Sequence, residues 1–254
     1  MPIWVQPAAS GSGFSRARST RFPRGLLLCA HMSPRYLLGA DPGGKGGPSG
    51  NFGWALVEYV PFSSPPQNLT AVHSGVAPDA QAAMAGVLHA ANAGQIVAIG
   101  VDGPLGYDAK PDRAIDAHIR AALKSVGASP GSPGATNSLR GACLVQAVVF
   151  ALLAQQTFAA DQAVLITESY PRAVRDLPNG LPRAKCAHCP AQTVGCHECD
   201  ATLAAGSAWA CAEGKGGRPP QGWQNLHSLR PSPTSKTLKP QFMVVPGHEY
   251  WLPV

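Results

Sequence analysis

Charge is scarce in this sequence. Of 254 residues, 13% are Asp, Glu, Lys or Arg, about half the ~25% share of an average soluble domain. No run of ~18 or more apolar residues occurs, which excludes a membrane-spanning helix and leaves no membrane partner. No complete G-x-x-x-x-G-K-[ST] string is present, which excludes a Walker phosphate loop. Acidic residues are missing altogether from positions 1–40. What the chain does have is 45% hydrophobic residues, 28 Gly and 25 Pro. That apolar share excludes wholesale disorder, and the length suits one large domain or two small ones.

The formal charge of +6 invites a nucleic-acid reading, but its distribution is uneven. Positions 1–40 carry +5 and positions 212–254 carry +3, while 41–211 carry −2. The basicity belongs to the ends. Four of the seven cysteines crowd into 186–199, which points to reduced thiols or a metal rather than a disulfide framework, and to a reducing, cytoplasmic compartment.

Residues 1–31 read as a flexible basic leader, with Arg16, Arg18, Arg21 and Arg24 set among small residues. It is either an organelle-import peptide or a segment outside the functional protein, with translation starting at Met32. Strands are expected at 36–41, 52–60, more weakly at 69–76, and at 96–101 and 164–167. Helices are expected at 79–93, 112–126, 138–158 and 200–212, with one or two helical turns at 171–177. The almost uncharged helix at 138–158 is expected to be covered on most sides. The domain then runs over 32–213 with a Cys-rich insertion at 183–199. Beyond it, 214–254 reads as a Pro- and Lys-rich, loosely packed tail. The alternation of strands and helices defines an α/β class: a mixed sheet with helices on both faces.

Three carboxylates stand at expected strand ends, each before a turn: Asp41-Pro42-Gly43, Asp102-Gly103-Pro104 and Glu168-Ser169-Tyr170-Pro171. Ligands of open α/β sheets gather beyond the carboxyl ends of strands. A fourth acid, Asp200, begins the last expected helix, where the helix dipole alone also favours it. Clustered carboxylates repel one another unless cations neutralise them. Hard oxygen ligands suit Mg²⁺ or Mn²⁺, and two such ions ~3.5–4 Å apart promote phosphodiester hydrolysis. Each acid taken alone also reads as a turn cap.

At these positions the sequence resembles a known family. Gly39-Ala40-Asp41-Pro42-Gly43, Phe52-Gly53-Trp54-Ala55 and Val101-Asp102-Gly103-Pro104-Leu105 are similar to motifs of the predicted RNase H-fold nucleases, domain-of-unknown-function family 429. Arg113-x-x-Asp116-x-x-x-Arg120, Ser138-Leu139-Arg140-Gly141 and Thr167-Glu168-Ser169-Tyr170-Pro171-Arg172 extend the resemblance, which spans roughly 36–212. It implies a five-stranded RNase H-like sheet, and Asp41, Asp102, Glu168 and Asp200 as metal-binding catalytic acids. It also implies a hydrolase acting on nucleic acid, an activity that for the family is itself inferred from fold.

Lys45, Arg113, Arg120, Arg140 and Arg172 are the candidate substrate-binding cations, through phosphate. Asp116 and Arg120, four apart on a helix, are spaced to pair with each other. Arg140, beside a very apolar helix, needs a partner. Cys186-x-x-Cys189 and Cys196-x-x-Cys199 have paired-ligand spacing for structural Zn²⁺, although the six residues between the pairs fall short of the usual ribbon spacing. Two further readings use the same segments. One is a nucleotide-binding phosphotransfer or ATPase-type protein, with the Gly-rich turns at 42–47 and 103 holding a nucleotide. The other is a non-catalytic scaffold whose acids are turn caps.

Overall fold

The first expected strand forms as β1 (Arg35–Pro42), with six of its eight residues buried. It pairs antiparallel with β2 (Phe52–Glu58), whose aromatic and β-branched residues suit a pleated, buried surface. The weak strand at 69–76 divides into β3 (Leu69–Thr70) and β4 (His73–Ala77), and only β4 pairs with β2. Helix α1 (Ala80–Ala91) starts where the Asp79 carboxylate accepts the Ala82 N–H at 2.8 Å, a side-chain cap for an otherwise orphaned donor. Then come β5 (Gln95–Asp102), β6 (Gly106–Tyr107), α2 (Ala114–Ser125) and α3 (Gly141–Phe158). They are followed by β7 (Leu165–Ser169), α4 (Pro171–Asp176), β8 (Ala184–Lys185) and α5 (His197–Lys215). The chain closes with β9 (Trp223–Asn225), a short 3₁₀ turn at Leu226–Ser228, β10 (Phe242–Met243) and β11 (Glu249–Pro253). The structure is a computed structural model and describes residues 33–43, 51–61, 68–109, 112–131, 141–158 and 164–254. The leader at 1–31, Lys45 and Arg140 lie outside the described residues.

The main sheet is mixed, in the order β4-β2-β1-β5-β7-β11-β9. It has seven strands where the sequence reading expects five, because β11 adds parallel to β7 and β9 pairs antiparallel with β11. The α/β class holds, with helices on both faces. Helices α1 and α3 pack on one face with Leu38, Ile99, Val101 and Ile166. Helices α2, α4 and α5 cover the other, with Leu37, Ala55 and Ala98. Successive strand residues thus alternate between two cores, as a pleated strand requires. Helix α3 is less covered than expected, with Val145 and Val149 exposed. Among the described residues no helix is long and apolar enough to cross a membrane.

The segment after Gly214 corrects the expectation of a loose tail. It belongs to the same compact unit, 33–254, and buries Trp223, Leu226, Leu238, Tyr250, Trp251 and Leu252. The Pro-, Ser- and Lys-rich stretch that suggested a tail is only the exposed loop ahead of β10.

Helix α5 is buried along nearly its whole length, which its Ala-rich sequence permits. It lies so close to the sheet that glycine is obligatory beneath it. A Cβ at Gly39 would sit 1.7 Å from the Ala201 carbonyl oxygen, one at Gly100 1.9 Å from that of Ala204, and one at Gly53 2.3 Å from that of His197. Backbone cannot yield as a side chain can. Gly39→Ala is therefore expected to destabilise the protein by about 3 kcal/mol or more, the upper end of overpacking costs. Urea unfolding midpoints measure this, and a loss under about 1 kcal/mol would contradict the close approach.

Candidate functional site

Parallel pairing of β1 and β5 sets Ala40 beside Val101, so Asp41 and Asp102 are neighbours at the carboxyl ends of adjacent strands. Both share the strand face of Gly39 and Gly100, the face on which α5 lies. The first turn of α5 brings Asp200 to the same place. The three carboxylates feel one another. Burial first, and then the Asp41 and Asp200 charges, push Asp102 well above the usual carboxylate range. Burial and the Asp41 charge hold Asp200 up at about 6, against the pull of Arg175, His197 and Arg172. Burial also raises Asp41, although His197 Nδ1 contacts its Oδ2 at 2.6 Å. That contact in turn raises the His197 imidazole above its ordinary value. Three acids are thus held together against their own repulsion, with cations only at the margin.

Glu168 does not join them. Val101 pairs with Glu168, and Asp102 with Ser169. The side chain on the Asp102 face is therefore the Ser169 hydroxyl, which accepts a hydrogen bond from Ser207 of α5 at 3.0 Å. Strand alternation turns Glu168 to the other side. There its carboxylate accepts the N–H groups of Leu105 (2.8 Å) and Gly106 (3.1 Å), delivered by the turn after Asp102. Arg113 reaches both carboxylate oxygens at 2.9 Å. Although burial opposes ionisation, Arg113 and His248 hold the Glu168 carboxyl down to about 2. Glu168 thus belongs to a buried network on the opposite strand face from Asp41 and Asp102.

The same network removes Arg113 from the substrate-binding candidates. Its guanidinium is 1% exposed, grips Asp116 in a bidentate pair at 2.7 and 2.8 Å, and donates to the Gly106 carbonyl at 2.7 Å. Arg120 pairs with Asp112, which corrects the expected pairing with Asp116. Arg172 remains a candidate, close enough to Asp200 to lower its pKa.

The depressed Glu168 pKa has a testable sign. A carboxylate whose folded pKa lies below its unfolded value near 4.5 stabilises the fold above that value. The contribution is lost as pH falls through about 2, and is on the order of 3 kcal/mol. Wild-type protein is expected to lose stability steeply below pH 4.5, and Glu168→Gln to show a flatter profile from a lower start. Urea midpoints across that range test it; parallel profiles would remove Glu168 from the account.

Two residues at the site, Arg175 and His197, were not among the sequence candidates. Arg175 lies near Asp200 and, with Arg183 and Lys185, lines a cleft of about 690 Å³ that also includes Thr70, Gln192 and Val194. The only sequence signal of His197 was its place between two cysteines. The cleft cations sit among Pro and small residues without periodicity, so no pattern announces them.

Among the described residues, two groups of side chains could hold a metal. Cys186, Cys189, Cys196 and Cys199 offer four sulfurs within 4.8 Å of one another, a set suited to a metal such as zinc. Glu168, His227 and His248 offer three atoms within the same span. His248 Nδ1 donates to the Val245 carbonyl (2.7 Å) and its Nε2 faces Glu168 at 3.0 Å. Burial holds His227 down at about 4, and its Nε2 has no hydrogen-bond partner among the described residues. The six described cysteines are all free of disulfides.

Comparison of the chain with family models, with curated proteins and with solved structures gives no match. The site itself is the ground for a functional reading.

Proposed function

We propose that the protein is a metal-dependent phosphodiesterase, a nuclease of RNase H-like fold, as the resemblance to the predicted RNase H-fold nucleases implies. The observation that carries this reading is the convergence of Asp41, Asp102 and Asp200 at the ends of β1 and β5 and the start of α5, with each pKa raised. No described residue donates a hydrogen bond to Asp102 or Asp200, so their oxygens remain available to a ligand. An all-oxygen donor set fits Mg²⁺ or Mn²⁺. Such an ion, when bound, supplies Lewis-acid polarisation of a phosphoryl group and eases deprotonation of water.

The chain's own residues do the rest. His197 orients Asp41 through Nδ1 at one carboxylate oxygen, Oδ2. Arg172 and Arg175 stand on the Asp200 side, where a phosphate would need positive charge. Arg175, which also pairs with Asp176 at 2.6 and 2.9 Å, lines a cleft with Arg183 and Lys185, charge that a polyanionic backbone would favour. The substrate class is accordingly a nucleic acid, and Asp200 takes the place in the site that the sequence reading gave to Glu168.

The test is hydrolysis of labelled single-stranded and duplex DNA, RNA and a DNA–RNA hybrid in the presence of Mn²⁺. Cleavage by the wild type that is lost in Asp102→Asn supports the assignment. Equal inactivity of both on all substrates would sink it.

A further inference from the structure

The four-cysteine group lies against the acidic site. Cys186 and Cys189 follow β8, while Cys196 caps α5 and Cys199 lies in its first turn. His197 sits between the second pair, and Asp200 directly follows Cys199. We propose that the four thiolates hold one zinc ion, and that this ion fixes the first turn of α5 and so places His197 and Asp200 over the ends of β1 and β5.

The distances agree with that ion. Thiolates at ~2.3 Å from a tetrahedral zinc are separated by about 3.8 Å. Cys189 Sγ and Cys196 Sγ, one from each pair, lie 3.9 Å apart, far beyond the ~2.05 Å of a disulfide. The Cys189 N–H donates to Cys186 Sγ at 3.3 Å, the kind of outer contact that orients a ligating sulfur. The helix start supplies a second argument. Helix α5 begins at Cys196 with no side-chain oxygen to satisfy its first N–H groups. Thiolates gathered at that end suit the positive pole of the helix, and a metal bridging them to the preceding loop replaces the missing cap.

The loop is also prepared for the ion. Ser74 Oγ of β4 accepts the Ala187 N–H at 3.1 Å and donates to Glu198 Oε1 at 2.8 Å. One side chain of the sheet edge thereby ties both halves of the cluster together. Inward of the cluster, the His197 carbonyl presses on Gly53 and its ring meets Asp41. A shift of the first turn would move both contacts at once. The zinc site stands by itself; only its consequence for the acids rests on the proposed function.

Zinc content, cobalt substitution and Mn²⁺ binding test the proposal. Full-length protein purified without chelator should carry about one zinc by mass spectrometry, and Co²⁺ exchange should give thiolate-to-cobalt absorption of tetrahedral four-sulfur coordination. Neither reading requires a variant to fold. Metal-free protein without a cobalt spectrum, or iron in place of zinc, overturns the assignment. Cys189→Ser should lose the zinc, shift the His197 ring resonances and weaken Mn²⁺ binding, read by electron paramagnetic resonance, roughly tenfold or more. Cys211→Ser, a buried cysteine outside the cluster, should change none of these. Loss of zinc with the His197 resonances unmoved overturns the positioning role. Wild-type protein that holds zinc, with the cobalt spectrum, but binds no Mn²⁺ supports the zinc site and overturns the proposed function instead.

Discussion

A chain ending at residue 213 is expected not to fold. The segment removed looks dispensable by composition, yet β11 lies inside the main sheet between β7 and β9. Tyr250, Trp251 and Leu252 are almost wholly buried, and Trp223 packs edge-on against Trp209 of α5 with ring centroids 6.0 Å apart. Burying each large apolar side chain is worth ~1.5–3 kcal/mol, so these four supply about 6–12 kcal/mol, comparable to the whole stability of a typical domain, about 5–15 kcal/mol. Truncation also strips Thr167 Oγ1 of the Trp251 N–H (3.0 Å) and Glu168 of His248. Side by side, the full-length chain should melt cooperatively while the 1–213 chain shows collapsed amide dispersion and no transition. A cooperative melt of the truncated chain would refute the account.

What the sequence showed and what it hid follow from the range of the forces involved. The strands β1, β2, β4, β5 and β7 and the helices between them announce themselves through local pattern. β-Branched runs, Ala-rich stretches and Asp79 ahead of its helix need no knowledge of partners. Asp41, Asp102 and Asp200 were legible because turns follow strands at the first two and a helix begins near the third. Glu168 misled for an instructive reason. It has the same local signature as Asp41 and Asp102, but its face is set by the register of β7 against β5, a one-residue matter that only pairing decides. Arg113 likewise looked like a phosphate ligand until the fold buried it between Asp116 and Glu168. Strand β11 is five residues, preceded by Pro246 and Gly247 and ending in Pro253. Its only signal was Tyr250-Trp251-Leu252, too short to outweigh the loop before it.

On the proposed function, Asp102→Asn is expected to lower activity by orders of magnitude and to make the metal-free protein more stable. Asp102 and Asp200 have folded pKa values above their unfolded ones, Asp200 at about 6 against 3.8. An acid shifted in this direction binds more protons folded than unfolded. Folding stability therefore falls as pH rises from about 4 through the folded pKa, the opposite sign to Glu168. As pH rises the metal-free wild type must ionise a buried carboxyl beside Asp41 and Asp200, and a neutral amide at position 102 avoids both the burial of charge and the repulsion. A gain of ~0.5–2 kcal/mol is the usual size for relieving a strained functional site, which for a domain of this length raises Tm by about 1–8 °C. Saturating Mg²⁺ or Mn²⁺ reverses the order, because only the wild type gains the linkage energy of binding, about 2.7 kcal/mol at a hundredfold excess over Kd. Under the proposed function, loss of one carboxylate that holds the ion would remove several kcal/mol of transition-state stabilisation, on the order of 10²–10⁴ in kcat. Melting curves at pH 5 and 7.5, with and without Mn²⁺, decide the matter. If Asp102→Asn melts below the wild type in chelator at pH 7.5, the acids are held by something other than mutual repulsion awaiting a cation. If Mn²⁺ raises both melting temperatures equally, Asp102 is not among its ligands.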